Sequence, residues 1–298
     1  MQCRPFLLVA AISSATIALS ATPAASHVTG SAAGPRGAAA RGASGEVLVA
    51  RDVSFPQCGG SLPREDGAAF GVLGTNNGRA FTRNPCLVTQ LAWAKRLAAP
   101  PAFSVNTGNP GPRRARHWPL GQTSPRLCAP SDPNSLGCSY DYGWNAGWQS
   151  FATATDAAQR LHRVSRVNAR HRAANVDWWL DVETMNSWQA TDGPATVAAY
   201  RRDVATLAGE MDALRAAGIA RVGIYSTRFQ WNLITGGYEV THGRFARVPL
   251  WLAGYESHAA AVAGCGRGSF TDGPVVMTQY LGHDGFDSNV VCAEPGGS

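Results

Sequence analysis

Residues 177–183 carry an apolar run into two carboxylates: Asp177-Trp178-Trp179-Leu180-Asp181-Val182-Glu183. If the run is a strand, side chains alternate faces, and a spacing of two puts Asp181 and Glu183 on one face at its end. Two like charges held that close raise each other's pKa, so one stays protonated toward neutral pH. Glycosidic cleavage needs such a pair, one acid to protonate the leaving oxygen and one anion to stabilise positive charge at the sugar carbon. The sequence reading gives the proton to Glu183 and leaves Asp181 ionised. Spacing alone also fits a strand that ends in two solvated acids.

The strand-like segments that must hold this pair are Val47–Ser54, Phe70–Gly74, Ala102–Asn106, 177–183, Val222–Ser226, Pro249–Tyr255 and Val275–Leu281. Helical patterns separate most of them. One begins at Asn84-Pro85, and Tyr140, Trp144, Trp148 and Phe151 recur at helical spacing. The clearest opens at Pro194, with an apolar stripe of Val197, Tyr200, Val204, Leu207, Met211 and Leu214, and stops at Gly218. No helix is evident between the last two strands. This alternation predicts an α/β fold, a mainly parallel TIM-like (β/α) barrel. Gly108 to Gly137, rich in Pro, Arg and Ser, interrupts the pattern as a long excursion.

Barrels of this kind gather chemistry at the C-terminal ends of their strands. Those ends carry Asp52, Asp181 with Glu183, Tyr225, Trp251 with Tyr255, and Gln279 with Tyr280; Asp287 and Asn289 follow in what reads as the last loop. Aromatic faces stack on sugar rings, and amides hydrogen-bond hydroxyl or acetamido groups. Each residue alone has a bland reading, Trp251 as core, Tyr280 as barrel filler and Asp287 as a turn residue. Their joint occurrence at successive strand ends favours a carbohydrate site.

Composition sets the compartment. Of 298 residues, 26 are Lys or Arg and 20 Asp or Glu, a formal charge of +6. Residues 1–25 read as a secretory signal, with Arg4, an apolar run from Phe6 to Leu19 and small residues from Ala21 to Ala25. Residues 26–45, poor in large apolar side chains, read as a disordered linker, and 46–298 as one barrel domain. The leader takes Cys3 with it and leaves Cys58, Cys86, Cys128, Cys138, Cys265 and Cys292, an even set in an exported chain and so a disulfide set. Six cysteines allow 15 pairings; sequential pairing closes the shortest loops and is the expectation. Arg160, Arg163, Arg166 and Arg170 read as a basic stripe on a helix face. No nucleic-acid module and no membrane-spanning segment is evident. Gly282 to Asn289 does not have the spacing of a calcium loop. The expectation is a secreted monomer without metal or cofactor.

Asp52-Val53-Ser54, Asp181-Val182-Glu183, Gly223-Ile224-Tyr225-Ser226, Leu250-Trp251-Leu252-Ala253-Gly254-Tyr255, Gln279-Tyr280 and Asp287-Ser288-Asn289 occur in the order seen in family 25 glycoside hydrolases, which the chain resembles over about residues 47–292. These are N-acetylmuramidase lysozymes that cleave the β-1,4 link between N-acetylmuramic acid and N-acetylglucosamine in peptidoglycan. The resemblance implies an irregular barrel of about five β/α units followed by three strands. It implies Glu183 as general acid, Asp181 as its partner toward the acetamido group or the cation, and Asp52 and Asp287 as supporting carboxylates. Tyr225, Trp251, Tyr255, Gln279, Tyr280 and Asn289 would contact a cell-wall glycan. Two segments depart from the family pattern: Gly74-Thr75-Asn76-Asn77-Gly78 lacks the usual Lys and Glu, and Phe103-Ser104-Val105-Asn106-Thr107 lacks the usual aromatic residues. Those departures keep open a weak or inactive barrel that binds wall glycan, or a hydrolase of another extracellular polysaccharide.

Overall fold

The computed structural model describes residues 38–43, 45–237 and 243–293. The expected signal and most of the expected linker lie outside them. Strands β1 (Val49–Val53), β2 (Ala68–Gly74), β3 (Ala102–Asn106), β4 (Trp178–Asp181), β5 (Val222–Ser226), β6 (Leu250–Tyr255), β7 (Val275–Leu281) and β8 (Asp287–Val291) form a closed barrel in chain order. β1 to β7 run parallel, each to the next. β8 is antiparallel to both β7 and β1 and closes the ring. The α/β barrel expected from the alternation of patterns is the fold found.

Three local expectations are corrected. Asp287–Val291, read as the last loop, is the closing strand; its opening Asp-Ser-Asn looks like a turn, but Ser288, Asn289 and Val290 are buried between two neighbours. Residues placed at the end of the linker pair with the barrel: Ala40 N–H donates to Val291 O at 2.7 Å, and Arg41 bridges Val47. A seven-residue helix, His258–Gly264, does lie between β6 and β7.

The helices are α1 (Leu87–Ala94), α2 (Leu136–His162), α3 (Arg166–Ala174), α4 (Gln189–Asp192), α5 (Val197–Ala216), α6 (Arg228–Thr235) and α7 (His258–Gly264). Side-chain caps set several starts. Ser135 Oγ accepts from Cys138 N–H at 3.2 Å, and Thr196 Oγ1 accepts from Ala199 N–H at 3.1 Å, so α5 starts three residues after Pro194. The arginine stripe is not one helix face. α2 ends at His162, Arg163 turns left-handed at φ 51°, and Arg166 opens α3. Arg166 pairs with Asp156 at 2.9 Å, and Arg170 lies over the Trp148 and Phe151 rings.

Period-two alternation divides the core into two layers. Val72, Ala102, Trp179, Tyr225, Trp251 and Met277 fill the barrel, where Trp179 meets Trp251 edge-on at 6.0 Å. A larger layer, including Leu73, Phe103, Trp178, Leu180 and Ile224, packs under the helices. Since β4 is covered on both faces, its sequence is a continuous apolar run rather than an alternation. Gly223 makes room for Trp179, because a Cβ there would stand 2.2 Å from the indole ring. The bridges are Cys58–Cys86, Cys128–Cys138 and Cys265–Cys292, with Cα separations of 5.5, 4.4 and 5.4 Å, the sequential pairing expected.

α2 and α5 cross at backbone distance. A Cβ on Gly143 would lie 1.9 Å from the Thr206 carbonyl oxygen, and one on Gly209 2.0 Å from that of Tyr140. Neither obstacle is a flexible side chain, so the helices themselves must part. Gly143→Ala is expected to destabilise the fold by about 1–3 kcal/mol, seen as a lower urea midpoint with an unchanged m-value. An unaltered midpoint would show that the crossing is loosely packed.

Candidate active site

The C-terminal ends of β1, β3, β4, β5, β6 and β7, with the start of β8, open into a cavity of about 250 Å³. Asp52, Asp181, Glu183 and Asp287 line it, with Asn106, Tyr225, Trp251 and Gln279 among their neighbours; no Lys, Arg or His does. The strands deliver these groups by parity. Asp181 points inward two residues beyond Trp179, and Asp52, Tyr225, Trp251 and Gln279 are the inward residues of their own strands.

Asp52 sits in a chain of fixed dipoles. Asn289 Nδ2 donates to its Oδ1 at 2.6 Å, and Gln279 Nε2 donates to its Oδ2 at 3.2 Å. Each amide is oriented from behind: Trp251 Nε1 donates to Asn289 Oδ1 at 2.7 Å, and Tyr225 Oη donates to Gln279 Oε1 at 2.8 Å. Both amide oxygens are thereby occupied, so both NH₂ groups face the carboxylate. Burial and the charge of Asp287 still push the Asp52 pKa up to about 7, against the lowering effect of the two amides. Burial raises Asp287 as well.

Asp181 is held by β3 and its loop. Asn106 Nδ2 donates to Asp181 Oδ2, and Thr107 Oγ1 donates to the Asp181 carbonyl at 2.6 Å. Asn106 is fixed in turn by Asn76, whose Nδ2 donates to the Asn106 carbonyl at 2.9 Å and whose Oδ1 accepts from Asn106 N–H at 3.1 Å. The second oxygen of Asp181 is out of contact with solvent and meets no N–H donor. The neighbouring Glu183 raises the Asp181 pKa by its charge and by a carboxyl–carboxyl hydrogen bond, which needs a proton between the two. Glu183 also bonds the side chain of Gln230, whose Oε1 accepts from Thr184 N–H at 2.7 Å.

Burial raises both pKa values of the pair. Asp181 also faces the charges of Glu183 and Asp52, and Glu183 that of Asp287. Both carboxyls are therefore held toward their protonated forms in the open groove. Burial and the four carboxylates also hold Tyr225 in its neutral form, raising its pKa well above the usual phenol value.

Not every expected residue reaches the cavity. Tyr280 follows inward-facing Gln279, so its side chain leaves the barrel and meets His258 at 5.5 Å. The β6–β7 register shifts between Leu252 and Tyr255, and Gly254 has φ 88°, which turns Tyr255 outward against α7 and Arg267. Asn289 is fully buried and serves Asp52 rather than an open surface. Sequence reasoning missed Asn76, Asn106 and Gln230. The first two lie in the very segments singled out for departing from the family pattern. Among the described residues, no three His, Cys, Asp or Glu side chains could hold a metal ion.

No family model and no curated protein sequence matches the chain. Solved structures similar to it include a muramidase from Trichobolus zukalii, at 14% identity and a TM-score of 0.49, covering 83% of this chain and 95% of that one. A family GH25 lysozyme from Aspergillus fumigatus is 16% identical, with a TM-score of 0.47 and coverage of 84% and 96%. A bacterial lysozyme from Streptomyces coelicolor is 15% identical, with a TM-score of 0.46 and coverage of 85% and 94%. Likeness at this level says nothing of activity, which has to be read from the chain's own residues.

The raised pKa of Asp52 has a thermodynamic consequence. An acid raised from 3.8 to about 7 by folding destabilises the folded state as pH rises through that window, and costs nothing below it. Asp52→Asn cannot ionise. It is expected to melt at a higher temperature than the wild type at pH 8, with the advantage gone near pH 4. Melting curves at the two pH values check this, and an advantage equal at both would locate the effect elsewhere.

Proposed function

We propose that this protein is an exported glycoside hydrolase of the muramidase type, cleaving β-1,4 glycosidic bonds of peptidoglycan by acid-assisted hydrolysis. The observation that carries the reading is the proton-sharing pair Asp181 and Glu183 at the end of β4, facing Asp52 and Asp287 across one groove. The motif order along the chain supports it. Three disulfides agree with an oxidising compartment, and among the described residues no helix is long and apolar enough to cross a membrane.

In this mechanism Glu183, the less buried of the pair, delivers the proton to the leaving oxygen. As the C–O bond breaks, the shared proton leaves through Glu183 and Asp181 remains as the anion beside the sugar cation, its carboxyl aimed by Asn106. Water then adds to the sugar carbon and its proton returns to the pair. A bound sugar chain displaces water from the cavity, which strengthens every charge interaction inside it. Asp52, anchored by Asn289 and Gln279, adds negative potential opposite the pair. Trp251 and Tyr225 form the aromatic floor, their ring centroids 4.4 Å apart.

Mass analysis of the fragments released from purified peptidoglycan tests the assignment, with reducing-end muramic acid the expected product. Glu183→Gln keeps the shape without the proton and should lower kcat by about 10²–10⁴-fold. Retention of wall binding without release of fragments by the wild type would make this a glycan-binding barrel instead.

Activity should follow a bell in pH, because the pair works with one proton between its two members. Both pKa values are raised, so the alkaline limb should lie above the ordinary carboxylate range. In Asp181→Asn the acidic limb should be lost from the plot of kcat/KM against pH. An intact bell in that variant would remove Asp181 from the pair.

A further inference from the structure

A second cavity, of about 660 Å³, adjoins the acidic groove. Gly78 lines both, and Met185–Ser187, which begin two residues after Glu183, line the larger one. Its opposite wall comes from the Gly108–Gly137 excursion, which has four arginines and one acid. The charge is reversed across the shared boundary. Arg79, Arg114, Arg116 and His117 line this cavity and no Asp or Glu does. Arg114 is engaged with Asp192 at 2.8 Å. Arg79 and Arg116 are exposed, and neither makes an ion pair with any described residue.

The wall is built rather than draped. Cys128–Cys138 ties the excursion to α2, Trp118 Nε1 donates to Pro133 O at 2.7 Å, and Asn145 Nδ2 donates to Gln122 Oε1 at 2.9 Å. Across the cavity, Phe81 holds a left-handed backbone at φ 62° and stacks on His117 at 4.7 Å. That contact joins the β2–α1 loop, which carries Arg79, to the excursion, which carries Arg116.

We infer that this cavity is a subsite for a carboxylate-bearing substituent of the glycan, held by Arg79 and Arg116 while the sugar backbone runs through the acidic groove. The inference rests on the hydrolase reading for the position of the backbone. Two guanidinium groups without a partner, in a cavity free of acid, suit a carboxylate through charge-assisted hydrogen bonds. The four acids next door would repel the same group, so it can sit only on the basic side. The two cavities together would fix the direction in which the chain lies.

The test uses the mature protein carrying Glu183→Gln, so that binding is read without turnover. The probes are insoluble peptidoglycan, and the same material with its carboxyls converted to amides. Affinity from pelleting should fall about tenfold on amidation, and Arg79→Gln with Arg116→Gln should lower affinity for native walls to the amidated level. Salt should weaken binding to native walls more steeply than to amidated ones, a check independent of any arginine variant. Walls stripped of peptide, which keep the lactyl carboxylate on the sugar, locate the group: preference for them over their amidated form places it on the sugar, and loss of preference places it on the peptide. Equal affinity for native and amidated walls would overturn the subsite and leave the hydrolase reading standing. Absence of binding to either would overturn both.

Discussion

Four carboxylates share one small groove with no cation along its walls, and the rest of the site is arranged around that repulsion. Bringing so many acids out of water costs free energy unless protons or oriented dipoles answer them. The protein uses both. Asp181 and Glu183 answer each other with one proton, and Asp52 is answered by two amides whose oxygens are occupied from behind by Trp251 and Tyr225. The barrel interior is therefore more than filler. Trp251 and Tyr225 pack as hydrophobic bodies inside the ring and spend their single polar atoms on orienting the amides.

The architecture was largely legible because parallel strands, covered on both faces, leave long apolar runs in the sequence. Trp178 to Leu180 and Val222 to Ser226 are such runs, and each ends at the groove. β8 hid because Asp-Ser-Asn has turn composition, and its burial comes only from the two strands beside it. α7 hid because Ala259 to Gly264 offers almost no polar face to give a period. The carboxylates could be found because two acids at the end of an apolar run stand out. Tyr255 and Tyr280 were placed in the groove wrongly for geometric reasons: adjacent residues of a strand cannot both face inward, and a register shift is invisible in composition.

The supporting amides had no sequence signature at all. Asn76 has turn composition and Asn106 ends a strand-like segment, and both fall in stretches that depart from the family pattern. In the folded chain they bond each other twice, and Asn106 holds Asp181. A change that looks like erosion of a site in one dimension is, in three, an alternative support for it. The same holds for the excursion after β3, foreign to the pattern yet pinned at several points beside the groove.

Closure by β8 also gives the site a place in time. Asp52 lies on the first strand, and both amides that face it, from Gln279 and Asn289, lie on the last two. Their sequence separations of 227 and 237 residues make these contacts among the most non-local in the chain, and contacts of that range form late and slowly. A ribosome must therefore release nearly the whole barrel before the carboxylate cluster can be assembled. The Cys265–Cys292 bridge then fastens the closing strand to the helix before β7. A chain that stops before β8 has three of the four acids but not the closed groove.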